Sequence, residues 1–470
     1  MAHVRLFRHY IHLPFVILGF IDFVVICLAF SLAAFFRFFG EMDFFAESFL
    51  FVFPSILVFA LANLIVMIAL GVHEASVEEG MSGMMLRTIM AMILAIPVHG
   101  FAYFIADDWL WYLGNFGVLT SATVLSIFSL GIIRVLFFAM VGSDVFKRRV
   151  LVLGAGHRAK QMLEDLTTPF NRKGFKLDGF VPMPEEQVQV AEEHLLNVPF
   201  TLHDYVLRHP VREIVVAVDD RRRGLPMEDL LECKMEGVQI IDGASFYERE
   251  SRKVALEMIT RGWLVFSDGF TVSSVYGLGK RGLDILTACT LLLATFPIML
   301  LTALAIKIED GLKAPVLYSQ ERVGLNNRVF RVYKFRSMTT DAEKHGAVWA
   351  KKNDTRVTRV GEFIRKVRID ELPQIFNVLN GTMAFVGPRP ERPVFVEQLS
   401  ESIPFYSERH RVKPGVTGWA QLCFAYADNE EDTREKLRYD LYYIKNQSLL
   451  LDLLVIIQTV EVVLFKKGSR

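Results

Sequence analysis

Hydrophobic residues fall along this chain in two patterns. Up to about residue 141 they form long unbroken runs, Leu13–Phe36, Phe49–Leu70, Leu86–Ile105 and Leu113–Val141. Each run is long enough, as a helix, to cross a hydrocarbon core of ~30 Å. From residue 149 the runs shorten to strand length, at Arg149–Gly154, Phe175–Val181, Glu213–Val218 and Val238–Asp242, with helix-like stretches between. That alternation predicts a small parallel α/β domain. A fifth uncharged run, Leu286–Ile306, then leads into a C-terminal region of mixed character. There Leu372, Ile375, Phe376 and Leu379 recur at i, i+3, i+4 and i+7, which marks the buried face of a short helix ended by Asn380-Gly381.

Composition agrees with a membrane part. Of 470 residues, 52% are hydrophobic and 22% charged, too apolar a balance for a wholly soluble protein. The formal net charge is zero, so no global basic field points to a nucleic-acid partner. Cys27, Cys233, Cys289 and Cys423 are scattered, which argues against a disulfide framework and against a zinc site and places the reactive domains in the cytoplasm. No small-residue cleavage site follows the first apolar run, so it reads as a span. Arg5 and Arg8 precede that span and Lys147-Arg148-Arg149 follows the fourth, whereas the 37–47 and 106–112 connections are acidic or neutral. Both ends of the bundle are therefore expected inside, with Arg37 as a snorkelling anchor at a span edge.

The fifth run poses a topological problem, because a full crossing would carry everything after it out of the cytoplasm. Pro297 lies mid-run, where it removes the hydrogen bond to the Leu293 carbonyl, and Thr295 can bond back to its own helix. A helix broken there can enter one leaflet and return over residues 283–308, with Lys280-Arg281 and Lys307 at the same headgroups. A kinked spanning helix is the alternative reading of the same residues.

The densest chemistry lies at 361–391. Asp370 occupies an expected N-cap position, and Pro373 falls in the first turn, where a missing N–H costs little. Arg365, Lys366 and Arg368 precede the pair Asp370-Glu371, and Gly387-Pro388-Arg389-Pro390-Glu391 follows. A carboxylate at the positive end of a helix is expected to stay ionised, and the same field attracts phosphate, which suits a nucleophile directed at phosphorus. An ordinary capped amphipathic helix with a solvated charged face describes these residues equally well. In the middle region Gly154-Ala155-Gly156-His157-Arg158-Ala159 has the G-x-G-x-x-A form of a nucleotide fingerprint. No acidic residue closes the second strand, since Asp178 falls inside it, so the glycines serve either a dinucleotide or a tight turn. Arg221-Arg222-Arg223 reads as a solvated loop. Ser448–Lys467, interrupted by Asp452, Gln458 and Glu461, reads as a surface helix at the membrane boundary with Lys466-Lys467 toward headgroups.

From Lys280 to Arg470 the chain resembles the bacterial sugar-transferase family, the monotopic polyprenyl-phosphate phosphoglycosyl transferases. The resemblance rests on Lys280-Arg281-x-x-Asp284, the Pro-broken helix, Gln320-x-Arg322-x-Gly324, Lys334-Phe335-Arg336-Ser337-Met338, Asp370-Glu371-Leu372-Pro373-Gln374, Gly387-Pro388-Arg389-Pro390 and Lys413-Pro414-Gly415-Val416-Thr417-Gly418-Trp419-Ala420-Gln421. Four spans plus an α/β domain make it similar to the large subclass that primes exopolysaccharide, O-antigen or capsule synthesis. The resemblance implies a mixed membrane protein: four transmembrane helices over 1–145, a Rossmann-like, CoA-binding-like domain of regulatory or structural role over 146–245, a linker over 246–279, and an α/β-type catalytic domain over 280–470 built on the re-entrant helix. It implies a multi-pass homodimer of the bacterial inner membrane whose catalytic domain faces the cytoplasm.

The activity it implies is transfer of a hexose-1-phosphate from a UDP-sugar to undecaprenyl phosphate, through a covalent intermediate on Asp370, with release of UMP. Charge at the leaving phosphate calls for Mg²⁺ beside Asp370 and Glu371. By the same resemblance Arg365 acts in catalysis, Lys334, Arg336, Pro388, Arg389 and Glu391 contact phosphate or nucleotide, and Lys280, Arg281, Asp284, Thr295 and Pro297 shape the membrane re-entry. Arg368 stands where many relatives carry a small polar residue. Two further function classes compete with this one. A membrane-anchored nucleotide-sugar oxidoreductase or epimerase would need a complete fingerprint and a Tyr-x-x-x-Lys-type pair, and a noncatalytic export scaffold has no need for adjacent carboxylates beside arginines. No residue in the sequence distinguishes glucose, galactose or an acetamido sugar.

Overall fold

The fold was analysed in a computed structural model, which describes residues 3–6, 9–39, 49–73, 80–106, 109–141, 147–166, 175–184, 186–198, 201–220, 224–259, 261–267, 269–270, 274–339, 356–424 and 429–464. Parts of the 37–47 and 106–112 connections, Arg8, Arg221–Arg223 and Lys466-Lys467 lie outside these residues. The chain divides into two compact units, 1–264 and 265–470.

The first unit opens with a short antiparallel hairpin, β1 (His3–Leu6) and β2 (His9–His12), which the apolar pattern did not announce. Four long apolar helices follow, α1 (Leu13–Arg37), α2 (Phe49–Ala69), α3 (Gly80–Ile105) and α5 (Phe116–Val141), each long and apolar enough to cross a membrane. The third starts earlier than its apolar run suggests, because Arg87 lies within the helix and donates to the Leu70 carbonyl at 2.8 Å. The fourth starts later, because Leu113 belongs to the separate turn α4 (Trp111–Gly114), which an extended Asn115 terminates. Helix α1 packs against α2 and α5, and α3 against α2 and α5, around Leu18, Ile26, Phe30, Phe59, Met92 and Leu130. Their interior is not purely apolar. Arg134 on α5 donates to both oxygens of Asp22 on α1, at 2.9 and 2.7 Å, with both side chains fully buried. His73 lies 2.6 Å from Asp22, and Thr88 accepts from Arg134 at 3.3 Å.

The α/β domain has four parallel strands in the order β4-β3-β5-β6, where β3 is Arg148–Leu153, β4 Phe175–Val181, β5 Glu213–Val216 and β6 Gln239–Asp242. Helices α6 (His157–Leu166), α7 (Leu202–Arg208), α8 (Met227–Met235) and α9 (Gly243–Ser251) complete it. The linker assigned to 246–279 does not begin where the sequence suggested. Phe246 and Tyr247 on α9, with Ala255 and Met258 beyond it, are buried in the same core as Val150, Val152 and Val215.

After α10 (Arg261–Phe266), the second unit is built on α11 (Ser274–Asp310), 37 residues that stay α-helical through Pro297, so the break expected at that proline does not occur. Against it pack the antiparallel hairpin β7 (Leu317–Val323) and β8 (Val329–Phe335), helices α12 (Arg359–Lys366) and α13 (Gln374–Leu379), and strand β9 (Ala384–Val386). The unit continues through α14 (Pro393–Ser402), β10 (Gly415–Thr417), α15 (Trp419–Cys423), α16 (Glu430–Lys445) and α17 (Leu449–Leu464). One face of α11 meets the domain along most of its length, with Ala288 in a cluster with Val332 and Ile375, and Met299 and Ile306 in a cluster with Phe335 and Ile364. Its other face leaves Leu286, Leu293, Phe296, Leu300 and Leu304 exposed.

Both ends of α11 are tied to the same unit. Near its start Lys280 donates to the Val386 carbonyl at 3.0 Å, Arg281 donates to the Val378 and Leu379 carbonyls that end α13, and Asp284 accepts from the Phe385 amide at 2.8 Å. Near its end Glu309 accepts from the Arg359 and Val360 amides at the start of α12, Asp310 pairs with Arg336, and Lys307 donates to the Leu312 and Ala314 carbonyls. Lys280, Arg281 and Lys307, expected at lipid headgroups, thus spend their donors on protein groups. Thr295 donates to the Leu291 carbonyl at 2.7 Å, the back-bond expected beside Pro297.

Candidate active site

Asp370 is not a helix cap. It sits in a 3-10 turn, Ile369–Glu371, entered through Arg368 at φ 60°, and Pro373 occupies the position before α13. The apolar spacing located the helix but rotated its face. Ile375 and Val378 are fully buried, Leu372 and Leu379 partly so, and Phe376 is 43% exposed. Polar Asn377 decides this orientation: its side chain donates to the Arg331 carbonyl at 2.8 Å and accepts from the Tyr333 amide at 3.0 Å, locking α13 onto β8. The lock brings Lys334, next on that strand, against the acid pair.

The two adjacent carboxylates have different surroundings. Glu371 takes both nearby cations, with Lys334 donating to Oε1 at 2.8 Å and Arg389 gripping Oε1 at 2.6 Å and Oε2 at 3.3 Å. Burial alone raises its carboxyl, but Arg389 and Lys334 outweigh burial and hold it well below the ordinary glutamate range. Asp370 is 9% exposed, and its Oδ1 is buried with no hydrogen-bond partner among the described residues. Burial, then the Glu371 charge, raises its carboxyl above the ordinary aspartate value, against the pull of Lys334, Arg368 and Arg389. The helix-dipole contribution expected from the sequence is missing here, since Asp370 lies in the 3-10 turn and caps no helix.

Arg389 is held in place by its backbone. The Val386 carbonyl takes Lys280 at 3.0 Å and Tyr443 at 3.1 Å, the Pro388 carbonyl takes the Gly415 amide at 3.0 Å, and the Arg389 carbonyl takes Arg409 at 2.8 Å. The Pro390 carbonyl takes Arg322 at 3.0 Å, and the Glu391 carbonyl takes the Val323 amide at 2.9 Å. Gly387 and Gly415 permit the close approach of the two segments. A Cβ on Gly415 would lie 2.1 Å from the Gly387 nitrogen, and one on Gly387 would lie 2.4 Å from the Lys413 carbonyl.

The geometry gathers Asp370, Glu371, Lys334 and Arg389, and the charge of Arg368, which the sequence places just before the acid pair, also acts on Asp370. Arg365 is half-buried on α12, one turn before the acid pair, and is not among the charges that act most on Asp370. Two assignments move elsewhere. Arg336, expected at phosphate, is 6% exposed and pairs with Asp310, which fastens β8 to the end of α11. Glu391, expected at the nucleotide, pairs with Arg322 at 3.2 Å and lies 3.9 Å from Lys436; Pro388 is represented by its buried backbone. Sequence reasoning missed Arg409, Asp440, Tyr443 and Asp452, all buried and far along the chain from the residues they support. Asp452 alone left a trace, as a charge interrupting an apolar run.

A cation fits here at one carboxylate more readily than at two. Both oxygens of Glu371 are engaged, whereas Asp370 offers an open oxygen, and no cluster of three or more His, Cys, Asp or Glu occurs among the described residues. Mg²⁺ commonly takes one or two carboxylates together with substrate phosphates, so this donor set suits it with Asp370 as first ligand and Glu371 beside it.

Residues 275–466 match the family model described as bacterial sugar transferase. A UDP-glucose:undecaprenyl-phosphate glucose-1-phosphate transferase of Xanthomonas campestris pv. campestris is 31% identical over 374 residues, 77% of this chain and 74% of that protein. A UDP-N-acetylgalactosamine-undecaprenyl-phosphate N-acetylgalactosaminephosphotransferase of Aeromonas hydrophila is 52% identical over 198 residues, 42% of this chain and 46% of that protein, so that match spans less than half of the relative. An exopolysaccharide production protein, PSS, of Rhizobium leguminosarum bv. phaseoli is 40% identical over 190 residues, 38% of this chain and 92% of that protein.

Proposed function

The chain belongs to the bacterial sugar transferase family of undecaprenyl-phosphate sugar-1-phosphate transferases, and from that premise we propose that it transfers a hexose-1-phosphate from a UDP-sugar to undecaprenyl phosphate by way of Asp370. In the first step the free Asp370 oxygen attacks the β-phosphorus of the donor. A P–O bond forms as the bond to the bridging oxygen breaks, and UMP leaves with the electron pair. In the second step a phosphate oxygen of the polyprenyl acceptor attacks the same phosphorus and releases the carboxylate. Splitting the transfer lets one carboxylate serve a water-soluble donor and a lipid acceptor in turn. Lys334 and Arg389, paired with Glu371 in the free protein, are positioned to exchange part of that pairing for donor phosphate oxygens. Mg²⁺, when bound at Asp370 with Glu371 beside it, would supply neutralising charge at the leaving phosphate.

The observation that carries this reading is the buried oxygen of Asp370, without a hydrogen-bond partner among the described residues, beside a neighbour that already holds two cations. The same reading sets the site at one face of the membrane, and α11 supports it. Its two ends bond to one unit while its outer face is apolar, which supports re-entry into a single leaflet; the cytoplasmic side rests on the family resemblance. The homodimer rests on the family resemblance.

The α/β domain is proposed to be structural or regulatory. Where a dinucleotide phosphate would sit, Asp219 accepts from the His157 and Arg158 amides at 2.8 and 2.9 Å, and Glu186 accepts from the Ala155 amide at 2.8 Å. Two carboxylates on that helix end oppose an incoming phosphate, which weighs against the oxidoreductase alternative. Membranes carrying the full chain, incubated with a panel of UDP-sugars that includes glucose and N-acetylgalactosamine donors, should release UMP. No release from any donor would overturn the proposal.

A further inference from the structure

We propose that Asp452 is a positioning residue for the loop that carries Arg389, an inference that rests on the transferase reading above. Asp452 lies on α17, the helix whose sequence reads as a membrane-surface element, yet its carboxylate is fully buried. It accepts from three donors on two other helices: Lys280 at 3.0 Å and Tyr276 at 2.9 Å, both on α11, and Tyr443 at 2.7 Å, on α16. Two of those donors are shared with the catalytic loop. The Lys280 ammonium also donates to the Val386 carbonyl at 3.0 Å, and the Tyr443 hydroxyl lies 3.1 Å from the same carbonyl.

Val386 is the last residue of β9, and the loop from Gly387 to Arg389 begins there. Asp452 therefore fixes the orientation of the groups that fix the base of the loop, and Arg389 at its far side grips Glu371. A lysine side chain with only 15% of its surface exposed points one way when a buried carboxylate faces it, and Asp452 supplies that carboxylate. The cluster also joins three helices, two of them apolar, so the seat of the loop depends on how α11 and α17 lie against each other.

A buried ion pair that merely stabilises the fold can be replaced by apolar side chains without loss of the folded state. One that positions the loop cannot be so replaced without loss of turnover, because the apolar pair no longer holds the Val386 carbonyl. The full-length protein in membranes is made as Asp452→Asn, as the double variant Lys280→Met with Asp452→Leu, and as Tyr443→Phe. Thermal stability, UMP release per folded molecule and hydrogen exchange of the 387–391 amides are measured for each. Asp452→Asn should lose about 10- to 100-fold in turnover, the range that misplacement of a catalytic group produces, and loop exchange should rise. The double variant should recover stability and not turnover. Tyr443→Phe, the mildest change, should shift turnover and exchange in the same direction. Turnover restored along with stability in the double variant, or turnover and loop exchange unchanged in any folded single variant, would overturn the proposal. UMP release absent from the wild type would bring down the transferase reading itself, and this one with it.

Discussion

Glu371 and Asp370 are neighbours in sequence and opposites in environment, and the chemistry assigned to the site depends on that difference. Asp370→Asn should abolish UMP release, because an amide does not attack phosphorus, and Asp370→Glu should be nearly as damaging, because the added methylene misplaces the oxygen. Substantial turnover by Asp370→Asn would remove the nucleophile from the account. Acid dependence follows from the raised Asp370 carboxyl. The nucleophile must be ionised and burial with the Glu371 charge favours its protonated form, so kcat/KM should fall on the acid side at a pH above the ordinary aspartate value of 3.8. An acid limb at or below that value would contradict the desolvated setting. Arg389→Lys keeps the charge but loses the two-pronged grip on Glu371, so it should lower turnover where a surface Arg→Lys change would not. At this scale the sequence was legible where charge and motif coincide, as at Asp370, Glu371, Lys334 and Arg389. It did not show the pairing of Arg336 and Glu391, whose partners Asp310, Arg322 and Lys436 come from other elements and cannot be read from local spacing.

Among the elements, α11 and the start of α6 carry the sharpest consequences. A cysteine at exposed Ser274 and another at exposed Lys313, placed in a background without exposed Cys289 and Cys423, flank the apolar stretch without disturbing its ties. If α11 returns to one face, a membrane-impermeant thiol reagent should treat the two positions alike in intact cells; labelling of one and protection of the other would mean a crossing. Apolar periodicity found α11 because its outer face is continuous, and it could not show that its inner face is covered by the rest of the unit. At α6, Gly156 is required by close approach, since a Cβ there would lie 2.2 Å from an Asp219 carboxylate oxygen. Gly156→Ala should therefore loosen the Asp219 cap and lower the thermal stability of the first unit by about 1 kcal/mol, while UMP release per folded molecule stays intact. Unchanged stability would show that the cap shifts freely. The fingerprint was visible in the sequence, whereas the carboxylates that fill it come from Asp219 and Glu186, far beyond the motif.

For the whole molecule, the two units separate stability from chemistry. The described site side chains all come from the second unit, whereas the first holds the buried Asp22–Arg134 pair. Arg134→Leu leaves Asp22 charged and without its guanidinium in an apolar interior, so it should destabilise the first unit by about 3–5 kcal/mol, read as lost expression or a lowered unfolding temperature. Normal expression would show that His73 and the surrounding polar groups suffice for Asp22. This pair was invisible to hydrophobic patterning because each charge sits singly in a long apolar run, and its partner is 112 residues away. The central claim is that Asp370 itself carries the phosphosugar between the two substrates. The most direct measurement is to mix the full-length protein with UDP-sugar and no lipid acceptor, quench, and weigh the peptide that contains Asp370. The account predicts UMP in an amount up to one equivalent per protein and a hexose-phosphate mass on that peptide, both absent in Asp370→Asn. UMP release that begins only when polyprenyl phosphate is added, with the peptide unmodified throughout, would contradict it.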